Sequence, residues 1–336
     1  MKAWVCPAFG DPSVLRIEER PATEPDASEV RIRLAAAGVN FPDLLSIAGT
    51  YPIRSEPPFV PGVEGAGTVI ACGAGIACGP GVRRLRVGER VCWQNNERKG
   101  SFAEEAVLPE TAIARVPDGV PLDIAACVPT AYGTAYFALT HRAALRPGEV
   151  LVVHGASGGV GLAAVQLGKL LGATVIATGA DAAKLAIVRA LGADHVIDVS
   201  AEPVRERILE LTAGSGADVY FDPVGGELFE ASLRAIAPYG RVLVIGFTSG
   251  QFPVARANIL LIKAVSVIGV NYGHYLRHSP DEARKHIEQI LQWVEQGRLS
   301  PRIHARYGLG GVVDALLALT HRTVVGKNII ETSRWR

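Results

Sequence analysis

The run Leu151-Val152-Val153-His154-Gly155-Ala156-Ser157-Gly158-Gly159-Val160-Gly161 restricts the fold more than any other part of this chain. An apolar, β-branched segment passes straight into a turn of small residues, and a helical composition over 162–171 follows at once. In a βα unit of this kind the small residues let the backbone approach a pyrophosphate, and the free N–H groups of the helix start face its charge. A second apolar run, Thr174-Val175-Ile176-Ala177-Thr178, arrives where a βαβ unit needs its next strand. Glycines alone specify little; the strand before them and the helix after them give the pattern its meaning. Ser157, Gly158, Gly159 and Val160 are therefore expected to hold a dinucleotide pyrophosphate through backbone N–H groups.

With 336 residues the chain is long enough for two domains. Its net charge of +1 supplies no basic field for nucleic acid or an anionic membrane. No apolar run reaches the roughly 18–20 residues of a membrane span. Met1 to Pro7 reads as an edge strand rather than a signal peptide, because it lacks a continuous apolar region and a cleavage site. A cytoplasmic location is the resulting expectation. Five cysteines, at 6, 72, 78, 92 and 127, are an odd number without a paired framework and read as free thiols. Cys72, Cys78 and Cys92 lack the close pairing of structural zinc sites, so no metal is expected there.

Up to about residue 125 the chain alternates short strands with Gly- and Pro-bearing turns, including Val30-Arg31-Ile32-Arg33-Leu34, Gly67 to Ala71, Glu89 to Trp93 and Ala103 to Leu108. Such spacing suggests a β-rich, barrel-like module. A helix is expected over 125–139, ending near Arg146-Pro147-Gly148. From Val150, near-continuous apolar strands alternate with helices through Ala193 to Ile197, Asp218 to Phe221, Arg241 to Ile245 and Ser266 to Val270. That pattern means an α/β fold with a parallel sheet covered on both faces. An amphipathic helix over 280–296, a strand over 302–305, a helix over 311–319 and a strand over 327–331 complete the chain. The 73–86 stretch reads as a Gly- and Arg-rich loop insertion.

Further motifs occur in order: Ala36-Ala37-Gly38-Val39-Asn40-Phe41-Pro42-Asp43, Ala48-Gly49-Thr50-Tyr51-Pro52, Pro61-Gly62-Val63-Glu64-Gly65-Ala66-Gly67, Pro129-Thr130-Ala131-Tyr132-Gly133-Thr134, Phe221-Asp222-Pro223-Val224-Gly225-Gly226 and Gly326-Lys327-Asn328. Together with the glycine turn they closely resemble the zinc-free quinone oxidoreductase branch of the medium-chain dehydrogenase/reductase superfamily, over almost the whole chain. The resemblance implies a Rossmann doubly wound parallel sheet inserted in a GroES-like β-rich catalytic domain. The expected segments are 1–125 for the first part of the catalytic domain, 126–265 for the nucleotide domain, and 266–336 for the sixth Rossmann strand and the return. It also implies an active-site cleft where the two domains meet, and a homodimer joined through the sixth strands.

Relative to the zinc-dependent members, Asn40, Val63 and Thr130 stand where metal ligands fall. An amide, an isopropyl group and a hydroxyl cannot hold Zn²⁺ as thiolate and imidazole do. The four-cysteine lobe is also absent between Trp93 and Phe102. Without a Lewis acid to stabilise an alkoxide, the acceptor should be one whose charge delocalises after hydride arrives, such as a quinone or an α,β-unsaturated carbonyl compound.

Tyr51 is the first candidate for proton donor, since a phenol is protonated at neutral pH; a loop tyrosine packed on Pro52 is the alternative. Asn40 can donate its amide to a carbonyl or the nicotinamide ribose, or be a turn residue before Phe41-Pro42. By resemblance Thr130 meets the nicotinamide carboxamide; otherwise it is a satisfied helix hydroxyl. Asp43 and Glu64 either orient the cleft or cap loops. Thr178 and Gly179 end the second strand without a carboxylate, and Lys184 falls where the family sets a lysine against a 2′-phosphate. NADPH is therefore expected over NADH, with Asp181 and Val199 as departures that weaken the preference. Gly246, Phe247, Thr248, Asn271, Tyr272 and Asn328 complete the expected cofactor contacts, and Tyr132, Phe247 and Tyr272 offer aromatic walls for a flat substrate. The expected activity is NADPH-dependent two-electron reduction of quinones or enones. An enoyl-CoA reductase, for which only scattered arginines such as Arg54 and Arg322 are visible, and a low-turnover NADPH-binding redox sensor are the alternatives.

Overall fold

A computed structural model of the chain describes residues 1–53, 55–73, 84–95 and 100–332. Arg54, Cys78 and most of the 73–86 loop lie outside the described residues. The chain divides into two compact units, one of Met1–Thr130, Tyr275–Gly297 and Pro301–Arg336, the other of Ala131–His274 with Arg298–Ser300.

The first unit begins with β1 (Lys2–Val5), β2 (Arg16–Glu19), β3 (Glu29–Gly38), helix α1 (Phe41–Ile47), β4 (Glu64–Cys72), β5 (Arg90–Gln94), β6 (Glu105–Pro109), β7 (Ile113–Arg115) and α2 (Leu122–Ala125). The second unit contains α3 (Gly133–Phe137), β8 (Val150–Val153), α4 (Gly159–Leu170), β9 (Thr174–Gly179), α5 (Ala182–Ala190), β10 (His195–Asp198), α6 (Val204–Leu211), β11 (Ala217–Asp222), α7 (Gly226–Arg234), β12 (Ile236–Val244), α8 (Ala257–Lys263) and β13 (Ser266–Gly269). After α9 (Tyr272–His278), the elements α10 (Pro280–Glu295), β14 (Ile303–Gly308), α11 (Val312–Thr320) and β15 (Lys327–Glu331) belong to the first unit.

Among the described residues of the first unit, β14, β15, β3, β4, β5 and β7 form one sheet in that order, and β6 adds to β3. Alternation explains β3: Val30, Ile32 and Leu34 are buried, whereas Arg31 and Arg33 turn outward. The inward side chains pack with Ile47, Trp93, Phe102, Leu108, Ile113, Leu316 and Ile330. Register sets three strand ends side by side. Gly38 pairs with Glu64 of β4 and with Ile329 of β15, and the Val39 amide donates to the Asn328 carbonyl.

The sheet of the second unit is parallel throughout, in the order β10-β9-β8-β11-β12-β13. With β8 as the first strand this is the 3-2-1-4-5-6 order of the doubly wound dinucleotide fold. Leu151, Val152 and Val153 are fully buried, as a central strand covered on both faces requires.

Two sequence expectations change. The single helix over 125–139 is a chain of short pieces, with π-turns at Val128–Tyr132 and Ala138–Arg142 on either side of α3. Strand β12 starts at Ile236 rather than Arg241, because a register shift against β11 and the left-handed Tyr239 disguise its period. Among the described residues no helix is long and apolar enough to cross a membrane.

Gly161 fixes how closely α4 lies on the turn before it. A Cβ there would stand 2.4 Å from the Gly155 oxygen and 2.9 Å from the Ala156 Cα, both backbone atoms. Gly161→Ala is expected to lower the unfolding free energy by about 1–3 kcal/mol in a urea titration; an unchanged midpoint would show that the turn yields freely.

Candidate functional site

In the first unit the ends of β3, β4 and β15 converge on a buried polar cluster. The Lys327 ammonium donates to the Val39 carbonyl (2.9 Å), Asn40 Oδ1 (2.6 Å) and Glu64 Oε1 (2.6 Å). Asn40 Nδ2 donates to the same Glu64 oxygen at 2.8 Å and to the Gly38 carbonyl at 3.3 Å. Glu64 Oε2 accepts the backbone N–H of Thr130 at 2.8 Å. Lys327 is 5 % exposed and Glu64 not at all, so the two charges compensate each other out of reach of water.

Asp43, in the first turn of α1, accepts the amide of Asn40 at 2.8 Å on one oxygen and that of Val63 at 3.1 Å on the other. Burial pushes its carboxyl up to about 7; the two N–H donors and Lys327 pull it down, while Glu64 raises it further. Tyr51 is carried separately, on the turn after α1, half-buried and with its amide bonded to the Leu45 carbonyl.

In the second unit Gly158 is the N-cap of α4 and gives it no side-chain cap. The first-turn amides of Gly159 and Val160 have no helical carbonyl to reach. A Cβ on Gly158 would meet only the Gly155 oxygen within 4 Å, at 3.5 Å, so the turn is open above the helix start. These features fit a pyrophosphate on Ser157–Val160. Beyond β9, Asp181 caps α5 by accepting the Lys184 amide at 3.1 Å, and its other oxygen lies 3.9 Å from the Lys184 ammonium. The carboxylate is thus drawn to its own helix. Gly246, Phe247 and Thr248 follow β12, with the Thr248 amide bonded to the Pro223 carbonyl and Phe247 meeting Phe252 edge-on.

Several expected contacts are spent internally. Both Asn40 amide hydrogens go to Gly38 and Glu64, leaving none for a substrate carbonyl or a ribose. The Thr178 hydroxyl is buried against His154 Nδ1 at 2.9 Å. Ser232 gives its own proton to the Leu228 carbonyl, so His154 Nε2 donates to Ser232 and Nδ1 accepts from Thr178. Burial holds His154 below the usual histidine range. Asn328 is fully buried with its amide on the Ala315 carbonyl, and Asn271 accepts the His274 amide. Tyr132 and Tyr272, 3 % and 4 % exposed, are core rather than walls; Phe247 keeps an open face.

Sequence reasoning passed over Lys327 and Asp222, whose carboxylate ends β11 by accepting the Val224 and Gly225 amides. Lys327 had a signal: a lysine opening an apolar strand, beside Asn328-Ile329-Ile330, needs a buried partner. Among the described residues no group of three or more His, Cys, Asp and Glu side chains is placed to hold a metal ion.

Asp43 also makes stability depend on pH. Its folded value of about 7 lies above its ordinary 3.8, so the folded state binds the extra proton between them. The stabilisation is complete below about pH 4 and lost as pH rises through about 7. Urea titrations at stepped pH are expected to show a shallower decline for Asp43→Asn than for the unaltered protein over that window. Equal slopes would remove Asp43 as the source.

Comparison with known proteins agrees with this architecture. The alcohol dehydrogenase GroES-like domain family matches residues 26–118, and the zinc-binding dehydrogenase family matches 159–295. A quinone oxidoreductase-like protein 2 homolog of Nematostella vectensis is 37 % identical over 339 aligned positions, covering 99 % of this chain and 89 % of that protein. A crystal structure of Pseudomonas syringae quinone oxidoreductase superposes with a TM-score of 0.90 at 32 % identity, over 98 % of this chain and 99 % of that one. An Escherichia coli quinone oxidoreductase complexed with NADPH gives 0.90 at 26 % identity, over 98 % and 100 %. The chain therefore belongs to the quinone oxidoreductase family of the medium-chain dehydrogenase/reductase superfamily, and it is an oxidoreductase.

Proposed function

We propose that this protein is an NADPH-dependent, zinc-independent two-electron reductase of quinones or other α,β-unsaturated carbonyl compounds. The second unit serves as the dinucleotide domain and the first as the substrate domain. The observation that carries the cofactor is the open glycine turn at the uncapped start of α4, supported by the NADPH complex of the Escherichia coli relative. Ser157, Gly158, Gly159 and Val160 hold the pyrophosphate, and the backbone of Gly179 with Lys184 faces the adenosine ribose phosphate. Gly246, Phe247 and Thr248 border the nicotinamide. Asp181 is committed to capping α5, which lessens its repulsion toward a 2′-phosphate.

Zinc does not fit the residues present. Asn40, Val63 and Thr130 supply no thiolate or imidazole, and an ammonium already lies 2.6 Å from Asn40 Oδ1. When bound, reduced nicotinamide would supply a hydride, suited to a conjugated acceptor whose charge can delocalise onto its oxygen. Tyr51 gives that oxygen or the neighbouring carbon a proton from its hydroxyl; a water is the alternative donor, near Asn40 but not held by its amide hydrogens, which are committed to Gly38 and Glu64. The Thr130 hydroxyl, buried and without a hydrogen-bond partner among the described residues, is left to meet the nicotinamide carboxamide.

The second unit also presents an apolar surface. Phe252, Val254, Leu261 and Ile262 are 75–81 % exposed, and β13 pairs on one side with β12. An open strand edge and exposed apolar side chains are each a liability that self-association removes, and a homodimer of this unit is part of the proposal. Sedimentation should give a dimer that Leu261→Lys/Ile262→Lys converts to monomer; a monomeric parent protein would refute it.

The activity test is a panel of quinones, enones and enoyl-CoA thioesters, followed by the absorbance of reduced nicotinamide. Quinones or enones should turn over with NADPH, Tyr51→Phe should slow enones by about tenfold or more, and Lys184→Ala should raise KM for NADPH about tenfold while sparing NADH. Preference for the thioester would make the enzyme an enoyl-CoA reductase, and silence despite tight NADPH binding would favour a sensor.

A further inference from the structure

We propose that Lys327 is a positioning residue for Thr130, acting through Glu64: the ammonium fixes the carboxylate, and the carboxylate fixes the turn that presents the Thr130 hydroxyl. This rests on the reading that Thr130 meets the nicotinamide. An ammonium has three N–H donors, and here each has an oxygen, from Val39, Asn40 and Glu64. Lys327 therefore has nothing left to offer a substrate, and its effect passes through what it holds.

Glu64 Oε1 is claimed by Lys327 and Asn40, which leaves Oε2 for the Thr130 amide. In a regular helix that amide would seek the Ala126 carbonyl four residues earlier. Thr130 instead lies in the π-turn Val128–Tyr132, and a side chain from a distant strand takes its N–H. Such turns mark places where a helix gives up regularity to aim a residue. A helical threonine ordinarily returns its hydroxyl proton to a carbonyl of the preceding turn, and Thr130 Oγ1 does not. The chain also keeps room for the carboxylate: a Cβ on Gly38 would lie 2.3 Å from Glu64 Oε1 and 2.7 Å from the Ala126 oxygen. Space, charge and acceptor are all arranged around one amide.

A merely structural ion pair would hold strand ends together and act equally whether or not Thr130 carries its hydroxyl. A double-mutant cycle separates the two roles. Lys327→Met leaves the Glu64 charge uncompensated, so the paired change Glu64→Gln/Lys327→Met is made beside it to remove both charges at once. Each is combined with Thr130→Ala, and every variant is measured for thermal midpoint without cofactor, NADPH dissociation constant by fluorescence, and kcat and KM with the best acceptor of the panel. With Thr130 intact, the charge-removing changes should weaken NADPH or lower kcat by about tenfold while KM for the acceptor holds. In the Thr130→Ala background the same changes should cost less than about twofold. Equal losses in both backgrounds, or no loss in either, would overturn the positioning role. If Thr130→Ala alone alters neither NADPH binding nor kcat, the nicotinamide contact itself fails, and the relay with it.

Discussion

The buried pairing of Lys327 with Glu64 is the interaction on which the first unit turns. Neither charge has water to solvate it, so each requires the other, and the requirement draws β4 and β15 to the end of β3. Asn40 lies between them with its amide oriented by both: the oxygen faces the ammonium and the nitrogen the carboxylate. Opposite partners on the two ends allow only one amide orientation. Asp43 then secures the backbone of Asn40 and Val63 from the other side. A segment that the sequence presents as loop residues is thereby fixed by hydrogen bonds to both Asn40 and Asp43.

The second unit depends on a different economy, in which side chains withdraw so that the backbone can act. His154 closes β8 by bonding to Thr178 at the end of β9 and to Ser232 in α7, tying together the elements beneath the glycine turn. Asp222 does the same at the end of β11 through two backbone amides. Asp181 caps α5, whereas α4 is left without a cap. The contrast between two neighbouring helix starts is what distinguishes a structural terminus from one available to an anion.

The parallel sheet was readable in the sequence because its signal is local. Strands β8, β9 and β11 are short apolar runs bounded by breakers, and the glycine turn sits in the one place where a strand passes into a helix. The polar cluster was not readable, because Glu64 and Lys327 are 263 positions apart and no local pattern joins them. The candidate status of Asn40 came from its position, whereas the use of its amide hydrogens depends on partners from β3 and β4. The helix around Thr130 misled for a related reason. Its composition is helical throughout, and only a carboxylate arriving from β4 reveals that the turn departs from α geometry. Tyr132 and Tyr272 look equally suited to a wall or a core by type; packing against Gln166 and Phe137 decides for the core.

The order in which the ribosome releases these segments has a consequence. Residues 131–274 can complete their own sheet while synthesis continues, since all six of its strands have emerged by then. Glu64 emerges early, yet its counter-ion belongs to β15, 263 positions later in the chain and after the whole of the second unit's sheet. A nascent chain thus carries a carboxylate that can be interred only once β15 has emerged, which makes closure of the first unit later than completion of the second unit's sheet.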